Sequence, residues 1–208
     1  MEKNLKLIGF WSGLSTSVFA IIYIIPQLIQ GIDMPETQKS LVWILSPSLF
    51  LAPSFLIMMV AVHYYAEKSK RIWSHIGLLF ALAYFVFVSI VYFTVLTVTM
   101  PHNLDGKSEL VSVLQYIPKS FLSGIDALGY TTMSFATLFA FPVFNKTGFE
   151  RWIRRAFLAN GVIAPIILLT QIYPLIAYLG ASWIITLPAS SILVTILFKR
   201  ATFKSMSS

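Results

Sequence analysis

Six apolar stretches, near 7–29, 41–66, 75–100, 121–144, 157–179 and 182–198, divide this chain, and its lysines and arginines gather between them in alternately dense and sparse clusters. A helix needs about 20 apolar residues to cross roughly 30 Å of hydrocarbon, and each stretch meets or approaches that length. The pattern predicts an all-α, polytopic integral membrane protein: a bundle of six transmembrane helices in a single domain over residues 1–208. Composition agrees, since 57% of residues are hydrophobic and 11% charged, against about 45–50% and about 25% in soluble domains.

The charge pattern predicts an orientation. With the N-terminus in the cytoplasm, Lys3, Lys6, Lys68, Lys70, Arg71, Lys146, Arg151, Arg154, Arg155, Lys199, Arg200 and Lys204 all fall on the cytoplasmic face, leaving only Lys39, Lys107 and Lys119 outside. Cytoplasmic loops are the ones enriched in Lys and Arg, and an even number of spans returns the C-terminus to the cytoplasm. The net charge of +7 therefore sits at helix ends rather than in one patch, which speaks against nucleic-acid binding. Lys3 and Lys6 before an apolar run, with the small-residue stretch Ser17-Val18-Phe19-Ala20, imitate a signal peptide. The run continues through Ile25, which predicts an uncleaved first helix. Abundant Ile and Lys with short loops fit a bacterial plasma membrane. The absence of cysteine excludes disulfides, thiolate metal sites, c-type haem attachment and cysteine nucleophiles; no cofactor is expected.

Two connections carry their own signals. In the loop 101–120, Leu110, Val111, Leu114 and Ile117 recur at helical spacing behind Asp105 and Ser108, predicting a short surface helix, either in the outer interface or folded over a cavity. In the connection 145–155, Phe149, Trp152 and Ile153 lie among Lys146, Arg151, Arg154 and Arg155, the mixture expected against anionic lipid headgroups. Segments 13–26 and 129–142 share glycine, threonine, phenylalanine, alanine and proline at matching positions. Three spans apart, they have the spacing of an inverted repeat, with chance similarity as the competing explanation.

Asp126 is the one acidic residue placed within a span, and Tyr130, Met133 and Thr137 fall within about 20–40° of its helix face. A carboxylate in a membrane is costly. It is either hydrated near the outer interface or serves as a coupling group or counter-charge for a cation. Asn160, Ala164, Ile167, Gln171 and Tyr178 share a face of the fifth span, where amides either join helices or line a polar cavity. Pro47, Pro53, Pro165, Pro174 and Pro188 interrupt spans, and Ser46, Ser48 and Ser54 offer hydroxyls to the freed carbonyls. Ser12, Thr16 and Ala20 form a small-residue strip suited to packing within the chain or to docking a partner membrane subunit.

Some chemistry remains open and some closes. His63 and Glu67, one helical turn apart, with His75 across a short loop, form the only set resembling a metal site. An intramembrane serine nucleophile at Ser123 would need an activating base, and the sixth span holds no histidine. The leading expectation is a small bundle that binds or transports a small, partly apolar molecule or a cation. Its outward-facing cavity would be lined by Asp126, Tyr130, Met133, Thr137, Asn160, Gln171, Ser46 and Ser48. The alternatives are an accessory or assembly subunit without a ligand, and an intramembrane lipid-modifying enzyme using Asp126 or the histidine pair.

Overall fold

The computed structural model of the chain describes residues 2–33, 38–173, 176, 179 and 181–200. Every regular element among them is helical. The principal ones are α1 (Glu2–Asp33), α2 (Gln38–Tyr65), α3 (Arg71–Thr94), α4 (Met100–Leu104), α5 (Phe121–Ala140), α6 (Glu150–Gly161), α7 (Ala164–Thr170) and α8 (Trp183–Arg200). Pro174, Tyr178 and Lys204 lie outside the described residues.

Among the described residues, five segments are long and apolar enough to cross a membrane: Lys3–Pro26, Val42–Tyr65, Lys68–Leu104, Glu150–Thr170 and Trp183–Arg200. The stretch expected as a fourth span, α5, is not among them. Its Asp126, glycines and hydroxyl side chains lower its apolarity, and the fold explains why that is tolerated. Twelve of its 20 residues are buried, so α5 faces other helices more than any surrounding solvent. Large apolar side chains instead cover the outside of the bundle: Leu7, Trp11, Ile21 and Ile25 on α1, Phe50 and Ile57 on α2, and Leu79, Leu82, Val86, Ile90 and Phe93 on α3 are all exposed. Such large apolar faces left open on a monomer mark a surface made for an apolar surrounding.

The helices close into a ring in chain order. α1 packs on α2, α2 on α3, α3 along α5, α5 against α6 and α7, α6 against α8, and α8 returns to α1. Small residues set the tightest approaches. A Cβ at Gly77 of α3 would stand 2.7 Å from the Ala136 carbonyl oxygen of α5, and one at Gly161 of α6 would stand 2.7 Å from Leu138 Cα. Between α1 and α8, the Ser17 hydroxyl donates to Ser191 Oγ at 2.9 Å. Ser12, Thr16 and Ala20 are buried beside this seam, so the chain's own helices cover that strip. The ring also bears on the similarity between 13–26 and 129–142. Its elements follow one another in a single sense around the bundle, and a two-fold axis in the membrane plane would reverse that sense. The two segments are therefore not halves of an inverted repeat.

Other departures from expectation have local causes. The fifth stretch is not continuous: α6 ends at Gly161 and α7 restarts at Ala164, because Pro165 has no N–H for the Gly161 carbonyl and its ring clashes there. The third stretch is longer than 75–100, running from Arg71 to Leu104 through a π-helical turn, Val95–Thr99. The expected surface helix is instead a 3₁₀ segment, Ser108–Leu114, kinked at Val111. Only Val111 of its apolar residues is buried, while Leu110 and Val113 are exposed, so no α-helical face forms. Arg151, Arg154 and Arg155 lie on α6 rather than in a connection.

Candidate functional site

Ser120 caps α5, its Oγ accepting from the Ser123 N–H at 3.2 Å, and the next turns carry Asp126 and Tyr130 into the bundle. Asp126 is 8% exposed. Its Oδ2 accepts a hydrogen bond from the Tyr116 hydroxyl at 2.7 Å, while Oδ1 is buried and meets no hydrogen-bond partner. Tyr116 is placed by the loop, which is fastened to the end of the third helical segment. Thr99 Oγ1 donates to the Leu114 carbonyl at 2.9 Å, and Asn103 and Gln115 exchange two amide bonds of 3.0 and 2.8 Å.

Beyond Asp126 three hydroxyls from three helices join in a row. The Tyr92 hydroxyl is hydrogen-bonded to those of Tyr130 at 3.0 Å and Tyr23 at 3.2 Å. Buried tyrosines generally find such partners. The rings pack as tightly as the hydroxyls. Tyr23 stacks on Tyr130 with centroids 6.4 Å apart and planes at 13°, and Trp183 lies 5.2 Å from Tyr130 and 5.6 Å from Tyr23. The Asp126 carboxyl is near enough to Tyr84, Tyr92 and Tyr130 to act on them electrostatically.

A cavity of about 380 Å³ opens beside this cluster, at the end of the bundle that carries the 101–120 loop. Tyr23, Tyr116, Ser123, Asp126, Tyr130, Thr170, Gln171 and Trp183 line it, with Ala127, Ile167 and Ala181. Four buried side-chain polar atoms among the described residues lack partners, those of Ser48, Tyr84, Asp126 and Ser134. Of these four residues only Asp126 lines the cavity.

Of the eight residues expected to line the cavity, the structure thus brings together three, Asp126, Tyr130 and Gln171, and separates the other five. Met133 is buried below Tyr130. Thr137 and Asn160 belong to a separate junction: Asn160 Nδ2 donates to Thr137 Oγ1 at 3.0 Å, and Thr186 Oγ1 donates to Asn160 Oδ1 at 2.7 Å, tying α5, α6 and α8. Ser48 is buried away from the cavity. Ser46 lines an apolar groove of about 300 Å³ between α1 and α2, with Phe19, Ile22, Trp43 and Phe50. Tyr23, Tyr92, Tyr116 and Trp183 are the site residues that sequence reasoning missed. The signal was available: a tyrosine deep in an apolar stretch must bury a hydroxyl, and a buried hydroxyl needs a partner.

The histidine set does not form a metal centre. His63 and His75 rings lie 5.6 Å apart, but His63 Nδ1 is hydrogen-bonded to Ser74 Oγ at 2.9 Å, and Glu67 turns to Lys70 at 3.6 Å. No group of three ligating side chains is close enough to hold a metal ion among the described residues.

At the opposite end, the basic residues serve the helix termini. Arg154 donates to the carbonyls of Phe141 and Phe144 at 3.3 and 3.2 Å and lies over the Phe141 ring at 4.5 Å, closing the 3₁₀ turn Phe141–Val143 that follows α5. Arg151 and Arg155 flank the half-exposed Trp152 at 5.1 and 5.2 Å, while Lys146 is exposed. Tyr65 donates to Glu150 Oε1 at 2.6 Å, joining α2 to α6.

No protein-family model matches the chain, and comparison with curated proteins and with solved structures returns no match.

Proposed function

We propose that this chain is a six-span membrane protein, both termini cytoplasmic, that binds or moves a small, partly apolar molecule or a cation through the cavity at Asp126. α5 is the fourth span in this reading and completes the count of six, screened from lipid by its neighbours. The twelve-to-three division of Lys and Arg supports the orientation, which makes the cavity outward-facing and suits a bacterial plasma membrane. Arg151, Arg155 and Trp152 then meet anionic headgroups on the cytoplasmic side.

The observation that carries the reading is the buried, unpartnered Asp126 Oδ1 on a cavity of about 380 Å³. Leaving a buried polar atom unmatched costs about 1–3 kcal/mol, more for a charged group, and a cavity beside it gives room for the missing partner. Small-molecule sites occupy clefts of about 300–1,000 Å³ with few polar groups among apolar and aromatic ones. Native mass spectrometry of the protein extracted in lipid tests this. A small molecule retained by the wild type and lost from Asp126→Asn is the expected result. An empty wild type carrying a stoichiometric second chain, unchanged by the substitution, would instead establish an accessory subunit.

Orientation has its own test, made simple by the absence of cysteine. A membrane-impermeant maleimide should label Lys107→Cys and not Lys146→Cys in intact cells; the reverse pattern would invert the topology.

A further inference from the structure

We infer that the ligand of the Asp126 cavity is an organic ammonium ion, its charge against the carboxylate and ring faces and its apolar body along the remaining wall. This rests on the reading of the cavity as a ligand site and narrows the chemistry that fits.

Among the described residues, the cavity lining has one charged residue, Asp126, and no lysine, arginine or histidine. An anion would therefore meet an uncompensated buried carboxylate. The remaining wall is largely aromatic: Tyr23, Tyr116, Tyr130 and Trp183 all border the space. Aromatic faces carry negative potential and attract a cation within about 6 Å, tryptophan most strongly, and the gain is larger in a desolvated site.

An inorganic cation fits poorly. Divalent calcium takes 6–8 oxygen ligands and magnesium a near-ideal octahedron, whereas this cavity offers a single carboxylate with one oxygen already held by Tyr116. Ring faces cannot replace a hydration shell in that way, but they suit an alkylated nitrogen, whose charge is spread over carbon. The volume of about 380 Å³ also far exceeds what a bare ion fills, given that one water takes about 30 Å³. Gln171 adds an amide that can accept from an N–H where the ammonium carries one.

The test is isothermal titration of the full chain in lipid nanodiscs with benzyltrimethylammonium and with neopentylbenzene, which has the same shape and no charge. The expected result is binding of the ammonium at least tenfold tighter than of its neutral analogue. Asp126→Asn should remove that preference, and Trp183→Leu should weaken the ammonium about threefold to thirtyfold, the range for losing one cation–π contact. Tyr116→Phe keeps the charge and the ring, so it should retain the preference. If Asp126→Asn does not fold, the wild-type comparison decides alone. Equal binding of both probes would overturn the charge assignment while leaving a ligand cavity in place. Failure of both probes, with a chemically different small molecule retained on extraction, would overturn it likewise. Failure of both with an empty protein would overturn the ligand site itself.

Discussion

Asp126 on α5 and Asn160 on α6 are both buried polar residues, yet their surroundings differ in completeness. Asn160 meets Thr137 on α5 and Thr186 on α8 with both ends of its amide, at 3.0 and 2.7 Å, in a packed junction. Asp126 has one oxygen served and one not, beside open space. Interhelical hydrogen bonds in membranes contribute on average about 0.6 kcal/mol, so the Asn160 junction is explained by what it joins. The opposite holds for Asp126, whose buried Oδ1 lacks a hydrogen-bond partner, at a cost of about 1–3 kcal/mol or more for a charged group. Polarity in a buried helix becomes a sign of ligand binding only when its partners are incomplete and there is room to complete them.

The sharpest way to break this comparison is to disturb the junction from its backbone side. Gly161→Leu would drive a side chain into the Leu138 backbone, which cannot yield as a rotamer can. It should cost about 3 kcal/mol, the upper end of overpacking penalties, read as lost thermal stability in detergent; an unchanged melting temperature would mean that α5 and α6 are not so close.

Asn160→Leu should cost about 2 kcal/mol by removing both interhelical bonds and stranding the Thr186 hydroxyl, Thr137 keeping its bond to the Ser134 carbonyl, while the molecule retained on extraction stays. Loss of that molecule would merge the two regions into one site. Asp126→Asn is expected to behave in the converse way, losing the molecule while raising stability by about 1 kcal/mol, since a neutral amide is less costly to bury than a carboxylate. A pronounced fall in its melting temperature would make Asp126 structural.

Thr186→Val comes last, at about 1 kcal/mol, the lower end for an unmatched buried acceptor, because Asn160 Nδ2 keeps its bond to Thr137 while its buried Oδ1 loses its partner. A loss near that of Asn160→Leu would show that the three residues act as one unit rather than as separate pairs.

The helices and the polar residues that matter were legible for a simple physical reason. A carboxylate in an apolar stretch has few explanations, and Tyr130 follows it by one helical turn. Rotation of the helices about their axes was less legible. α2 is apolar on all sides, with Pro47 and Pro53 bending it, so nothing in its sequence says that Ser46 faces the outer groove and Ser48 the core. Asn160 and Gln171 look equivalent on one continuous helix, but the break before Pro165 leaves one in the junction and the other at the cavity. Tyr23, Tyr92 and Trp183 were hidden among many aromatic residues, because tyrosine and tryptophan near membrane-helix ends ordinarily mark the interface. Their convergence depends on ring closure, which is a property of the whole chain.

That closure has a consequence for how the protein comes into being. Tyr23 belongs to the first helix and Trp183 opens the last, 5.6 Å apart in ring centroids. Chains emerge from the ribosome N-terminus first, so α1 waits through the synthesis of every helix between before the one that completes its wall. Until α8 arrives, the seam of Gly9, Gly13 and Ser17 is uncovered, and a nascent chain must be kept from pairing it with a stranger. The site is thus made only when α8 arrives, and a chain cut short before α8 is an incomplete vessel rather than a weaker one.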